Sequence, residues 1–336
     1  MLAKNPRGTS VALRNCRFVF GLLALACAGL VQAATAAPWP VKPIRLVLGF
    51  PPGTNVDILA RPIATRLSDV LGQQVVVDNR PGATGLIANE LVARAQPDGY
   101  TLLVAPGSSL TSAPHLKLKM PYDALRDFAP IAQLNAFPQV IIVHPALPAK
   151  SVKELVALAR TRNGGLRYDS SGVGSAFHLA GELFASMAQV TMLHVPYKGG
   201  NIALTDLVGG RIDVMFYSLA VAMPQIQSGR VRALAVTGLK RDPLMPELPT
   251  VDESGLKGYD ITGWHGFFAP AGTPRERILR LNALINKALA TDEIAKLWAS
   301  EGMEVVTGTP EQFAQRMRAD YEKYGRIVKA VGIKPE

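Results

Sequence analysis

The sequence predicts an α/β protein of two doubly wound lobes, joined by a hinge that the chain crosses twice. Three observations lead there. Short apolar runs alternate with helical patterns along most of the chain. The order strand, helix, strand, helix, strand occurs twice, with glycine-rich turns at matching places. About 300 residues follow the N-terminal segment, enough for two domains.

That segment comes first. Residues 1–17 carry Lys4, Arg7, Arg14 and Arg17 and no acid, and residues 18–31 form an apolar run of 14. Small residues then fill positions 33–37. This is the order of a secretory signal peptide, here residues 1–36, with cleavage expected between Ala33 and Ala37. The alternative is an uncleaved anchor helix, but a bilayer span needs about 20 apolar residues. Both cysteines, Cys16 and Cys27, lie inside the segment. Lipidation at Cys27 is a second alternative, although Ala24 stands where a lipobox has leucine. A processed chain has no cysteine, which excludes a disulfide, a thiolate metal site and a cysteine nucleophile. Removing the segment's four bases lowers the formal charge from +10 to +6. The remaining bases are scattered, so nothing suggests a nucleic-acid footprint.

The first repeat opens with a strand at 44–48, ending in the turn Gly49-Phe50-Pro51-Pro52-Gly53-Thr54. A helix follows to Leu71, which Pro62 should kink or delay. A second strand at 75–77 ends in Asn79-Arg80-Pro81-Gly82-Ala83, and a helix runs to about Ala95. A third strand at 100–104 ends in Pro106-Gly107-Ser108-Ser109. This βαβαβ order signals a parallel sheet covered by helices.

The second repeat has strands at 166–168, 190–195 and 212–217, with helices at about 176–188 and up to Val208. Gly53 maps onto Gly174 and Gly82 onto Gly199, offsets of 121 and 117. Strand-like runs at 127–134 and 138–143 lie between the repeats, and others at 231–236 and 261–268 follow them. One crossing is therefore expected near 135–138 and a return near 240–260. Lobe 1 would be discontinuous, residues 37–135 plus 256–336, and lobe 2 would be residues 136–255. Ser151, Thr273-Pro274-Arg275-Glu276 and Thr309-Pro310-Glu311-Gln312 read as helix starts, the last two as capping boxes.

In open α/β sheets ligands bind beyond the carboxyl ends of the strands. Here those ends are glycine- and serine-rich turns leading into helix N-termini, whose free N–H groups and dipoles suit an anion. A carboxylate is the expected ligand. Candidate contacts on one side are Gly53, Thr54, Asn55 and Asp57, then Gly82, Ala83 and Ser108. On the other side they are Ser170, Ser171, Gly172, Gly174, Ser175 and His178, with Tyr197 and Lys198 as lid contacts. Each has a plainer reading. Asp57 and Ser175 are placed to cap helices, His178 to pack in the core, and Arg80 to brace its loop. Trp264 reads as core.

Catalytic signals are weak. The five histidines have no HExxH or comparable ligand spacing, and neither a GxSxG elbow nor a phosphate loop occurs. Gly172-Val173-Gly174 begins a dinucleotide fingerprint, but Phe177 occupies the position of its last glycine. No cofactor or metal is expected. A hydrolase using Ser175 and His178 is the remaining enzymatic alternative.

Four motifs carry a family resemblance: Asn79-Arg80-Pro81-Gly82-Ala83, Pro97-Asp98-Gly99-Tyr100-Thr101-Leu102-Leu103, Val195-Pro196-Tyr197-Lys198-Gly199 and Phe268-Ala269-Pro270-Ala271-Gly272-Thr273-Pro274. From about Pro40 onward the chain resembles the Bug-type solute receptors of tripartite tricarboxylate transporters. The signal segment places the chain in the periplasm, where a monomer is expected. The resemblance implies a type II periplasmic-binding-protein fold with a hinged cleft and no enzymatic activity. It implies di- or tricarboxylate, acidic amino-acid or aromatic-acid ligands. It also implies two integral membrane partners, one large and one small, with a sensing role as the alternative. One departure stands out: Thr54 replaces the family's second glycine after Pro-Pro-Gly, and Val56 is bulky there, which bears on pocket shape.

Overall fold

The computed structural model describes Met1 and residues 39–116, 119–170, 172, 175–197, 200–300 and 302–332. The expected signal segment, residues 1–36, lies outside the described residues apart from Met1. The chain divides into units Met1–Val41 and Lys42–Glu336, and the second contains every element below.

Two sheets organise it. The first has strands β1 (Ile44–Leu48), β2 (Val75–Asn79), β3 (Thr101–Pro106), β4 (Phe128–Gln133) and β11 (His265–Pro270), in the order β2-β1-β3-β11-β4. Strands β1, β2 and β3 are parallel, and β11 runs antiparallel to both β3 and β4. The second contains β5 (Asn135–Val143), β6 (Leu166–Ser170), β7 (Met192–Pro196), β8 (Val214–Ser218) and β10 (Thr262–Gly263), in the order β10-β5-β8-β6-β7. Strands β9 (Arg232–Val236) and β12 (Glu304–Val305) also pair with β5. Strands β6, β7 and β8 are parallel, with β5 antiparallel beside β8. The two sheets therefore repeat one arrangement, three parallel strands with the first in the middle and an antiparallel neighbour beside the third.

Ten helices follow in chain order among the described residues: α1 (Asn55–Leu71), α2 (Leu86–Ala93), α3 (Gly107–Thr111), α4 (Val152–Thr161), α5 (Ala176–Ala188), α6 (Gly200–Val208), α7 (Leu219–Gln227), α8 (Arg275–Leu289), α9 (Asp292–Ser300) and α10 (Pro310–Val331). Helix α1 shows why they form. Val56, Leu59, Ala60, Ile63, Ala64, Leu67 and Leu71 recur every three or four residues and are buried, and Gly72 closes the helix at φ 65°. Such a stripe has only one face to hide. Pro62 does not delay the helix, which starts at Asn55 and runs past it.

The caps divide. Thr309 forms its capping box with Gln312, and Ser151 accepts the N–H of Glu154. The box expected at 273–276 is absent. Pro274 is extended, at φ −52° and ψ 130°, so α8 begins at Arg275 and Glu276 comes one position too early to reach back. The Thr273 hydroxyl donates to the Pro270 carbonyl instead, at 2.8 Å.

The alternating faces of β5 serve different cores in the second sheet. Ile141 and Val143 join Tyr168, Phe184 and Phe216, while Val140 and Ile142 join Leu207, Met215 and Tyr217. The chain passes between the sheets at Leu134 and returns through β10 into β11. These passages pair with each other, Thr262 opposite Pro138 and Gly263 opposite Phe137.

Candidate functional site

The carboxyl ends of β1, β2 and β3 lead into α1, α2 and α3, and those of β6, β7 and β8 lead into α5, α6 and α7. Every described candidate lies at one of these ends. Ser171, Gly174 and Lys198 fall outside the described residues.

The β1–α1 turn is held by Asp57. Its carboxylate accepts the Gly53 N–H at 3.0 Å, two bonds from Arg61 at 2.8 Å each, and Asn79 Nδ2 at 3.0 Å. Asn79 Nδ2 also donates to the Phe50 carbonyl at 2.9 Å, tying this turn to the end of β2. Burial alone would raise the Asp57 pKa; the bonds from Arg61, Gly53 and Asn79 outweigh it and hold the group at about 2. Asp57 thus shapes the turn from within. Thr54, at φ −80°, needs no glycine, and its hydroxyl donates to the Pro51 carbonyl at 2.8 Å. Val56 is buried in the core. Arg80 braces as expected, its Nε donating to Asp78 at 3.0 Å.

The β2–α2 turn is strained. Gly82, Ala83, Thr84 and Gly85 have φ of 145°, 47°, 56° and 91°. Two non-glycine residues in the left-handed region cost on the order of 1–3 kcal/mol each, and such strain clusters at ligand clamps. Gly49 and Gly85 bring the first two turns together: a Cβ on Gly49 would stand 2.5 Å from the Gly85 Cα. The third turn is buttressed from below. Asn89 Nδ2 donates to Tyr122 Oη at 2.9 Å and to Ser109 Oγ at 3.1 Å, and Tyr122 Oη donates to the Ser109 carbonyl at 2.9 Å.

In the second sheet Ser175 caps α5, its Oγ accepting the His178 N–H at 3.2 Å. Ser170 is fully buried and its Oγ lies 2.6 Å from His194 Nε2. His194 stacks on His178 at 4.0 Å, and His178 Nε2 lies 3.6 Å from Glu182, which also accepts the Tyr168 hydroxyl. Burial, with His178 alongside, lowers the His194 pKa to about 4, so the ring is neutral. This network joins β6, β7 and the first turns of α5. Tyr197 donates to Asp206 at 2.8 Å.

Asp169 differs from Asp57. It is fully buried, and neither carboxylate oxygen has a hydrogen-bond partner among the described residues. Burial pushes it up to about 7, against a pull from the backbone amides of Phe216 and of Asp169 itself, which are nearby but not aligned for bonds.

The two sheets meet around a cavity of about 30 Å³, lined by Ser108, Thr111, Phe137, Ala176, Trp264 and Tyr324 among others. It brings Ser108 opposite the first residue of α5. Trp264 is core, its Nε1 donating to Asp320 at 2.7 Å. The sequence did not single out Ser218, the N-cap of α7, whose side chain makes no capping bond. The repeat itself was the signal: Ser218 ends the third parallel strand of the second sheet, as Ser108 follows that of the first. Among the described residues no group of three or more His, Cys, Asp or Glu is placed to hold a metal.

Residues 59–333 match the family model described as "Tripartite tricarboxylate transporter family receptor". The chain belongs to this family. The receptor is 40% identical over 291 residues to a protein encoded between tcbD and tcbE in Pseudomonas sp. strain P51, covering 86% of each chain. It is 33% identical to BugT of Bordetella pertussis, covering 92% of this chain and 95% of that one. Among solved structures it resembles R. palustris Rpa4515 with adipate at a TM-score of 0.77 and 36% identity, covering 89% and 100% of the two chains. It resembles the periplasmic binding protein BugD at 0.74 and 34%, covering 89% and 100%. It also resembles MatC of Rhodopseudomonas palustris with bound malate at 0.73 and 30%, covering 86% and 100%. The receptor therefore has the two-lobed fold of these binding proteins.

Proposed function

We propose that this receptor captures a small carboxylate outside the cytoplasm, in the cleft between its two sheets, and presents it to a membrane transporter of one large and one small subunit. The observation that carries the reading is the set of strand-to-helix turns at the carboxyl ends of both sheets. Their N–H groups and hydroxyls are donors, and helix N-termini favour negative charge. Three or four charge-assisted hydrogen bonds of about 1.5–3 kcal/mol each reach roughly micromolar affinity. The adipate and malate bound to its structural relatives support a carboxylate. Ligand contacts come from the 53–55 turn, Gly82, Ala83 and Ser108 on one lobe, and from the 170–175 loop, Ser218 and the Tyr197–Lys198 segment on the other. Asp57 and His178 support these contacts from beneath. The receptor acts in the periplasm after loss of residues 1–36, and it binds without catalysis.

The test is a thermal-unfolding screen of carboxylates, including adipate and malate, on the processed chain. A ligand at a hundredfold excess over its Kd stabilises by about 2.7 kcal/mol. Ser175→Ala should weaken binding by about 1–2 kcal/mol. Failure of every carboxylate to shift the midpoint, or turnover of a bound acid or ester, defeats the reading.

A further inference from the structure

Gln139 carries a binding capacity that no described residue uses. It is fully buried, yet both its Nε2 and its Oε1 lack a hydrogen-bond partner among the described residues. Its backbone is satisfied: its N–H donates to Thr237 Oγ1 at 2.7 Å, and its carbonyl accepts the Thr237 N–H at 2.8 Å. The fault is therefore confined to the side-chain amide. A buried amide with no partner is costly, and an apolar residue of similar shape would pack there without that cost.

Its place in the fold explains the exception. Gln139 is the fifth of the nine residues of β5 and the first to pair with β8, opposite Ser218 in the strand register. Ser218 ends β8 at the cleft edge and leaves its hydroxyl uncommitted to α7. Side chains alternate along a strand, so Gln139 shares a face with Phe137, about 7 Å further along. Phe137 lines the inter-sheet cavity with Ser108 and Ala176. Gln139 does not itself line that cavity; the register sets it between the cavity at Phe137 and the core that starts at Ile141.

We propose that Gln139 is a specificity-determining ligand contact, and that it selects a carboxylate bearing a hydroxyl or ammonium donor next to the acid group. An amide presents donors on nitrogen and an acceptor on oxygen, side by side. A plain carboxylate accepts from Nε2 and leaves Oε1 unpaired in a buried site. A hydroxy or amino acid satisfies both atoms. Sites built to pair a polar group reject the analogue that lacks it, because their own buried atoms are then left bare.

The inference rests on the carboxylate-receptor reading, and its test separates the two. L-malate, L-aspartate and succinate share a four-carbon diacid frame and differ only in the donor. Their affinities, with that of adipate, are measured by calorimetry on the processed wild type and on Gln139→Met. The wild type should bind malate or aspartate at least tenfold tighter than succinate, and which of the two it prefers identifies the donor. Gln139→Met should lose that preference, weakening tenfold or more for the favoured ligand and less than twofold for succinate. Without ligand, Gln139→Met should unfold at the same temperature as wild type or higher. Retained preference in the variant, or a ligand-free midpoint at least five degrees lower, overturns the proposal. Wild type that binds adipate or succinate with no preference for a donor also overturns it. Failure of all four acids overturns this proposal alone; the receptor reading falls only if every carboxylate of the wider thermal-unfolding screen fails as well.

Discussion

Asp57 and Asp169 are both buried acids near strand ends, and they should titrate in opposite senses. Asp57 is held at about 2, below its ordinary value of 3.8. Its stabilisation is present above pH ~4 and is lost as the pH falls towards 2. Asp57→Asn should destabilise by about 1–3 kcal/mol at pH 7, because Arg61 and the Gly53 N–H lose a charged acceptor. Denaturant unfolding at pH 7 and pH 3 checks this; the difference from wild type should shrink at the lower pH. Asp169, pushed up to about 7, stays protonated in the fold while the unfolded chain ionises from about 3.8. Stability from this group is full below pH ~4 and declines as the pH rises to about 7. Asp169→Asn should therefore gain on wild type between pH 4.5 and 7.5, as read by thermal midpoints at the two values.

At the scale of elements the telling feature is the contact of the first two turns at Gly49 and Gly85. Gly49→Ala puts a methyl into backbone that has no flexible side chain to move aside. The expected result is a loss of about 2 kcal/mol or more in stability, with weaker carboxylate binding because the two turns part. Gly53→Ala is the control for position: nothing lies within 4 Å of its added Cβ, so only its φ of 79° opposes the change. The alternation of strands, turns and helices was legible from sequence because periodicity, proline and glycine act locally. The cap at Ser175 was legible as one of two readings, since a cap is read from its neighbours. Asp57 was ambiguous because its partner Asn79 is 22 residues away. The strain at Ala83 and Thr84 was hidden because neither residue type announces a left-handed backbone. Ser218 and Gln139 acquire meaning only through the β5–β8 register, which joins positions distant in the chain.

At the scale of the molecule, a ligand held by both lobes should draw them together. Small-angle scattering should show a smaller radius of gyration at saturation with a carboxylate that shifts the unfolding midpoint. An unchanged profile would mean that one lobe carries the site alone. Gly263 lies where the sheets join, and a Cβ there would drive into the Phe137 ring. Gly263→Ala should therefore impair closure, seen as weaker binding together with a reduced scattering change. His265 beside it is held near 4 by burial, so its contribution to stability is present above pH ~6.5 and fades as the pH falls towards 4.

The pairing of Thr262 with Pro138 and of Gly263 with Phe137 has a mechanical corollary. Two separate strings between the lobes would let them slide, swivel and spread independently. Strands bonded side by side make a ribbon, stiff in its own plane and compliant only out of it. The lobes should then travel along one arc, and the gap at any point of that arc has a fixed width. Such a jaw behaves as a caliper: an acid too long holds it ajar, one too short leaves it rattling, and chain length is gauged by the angle at which it stops.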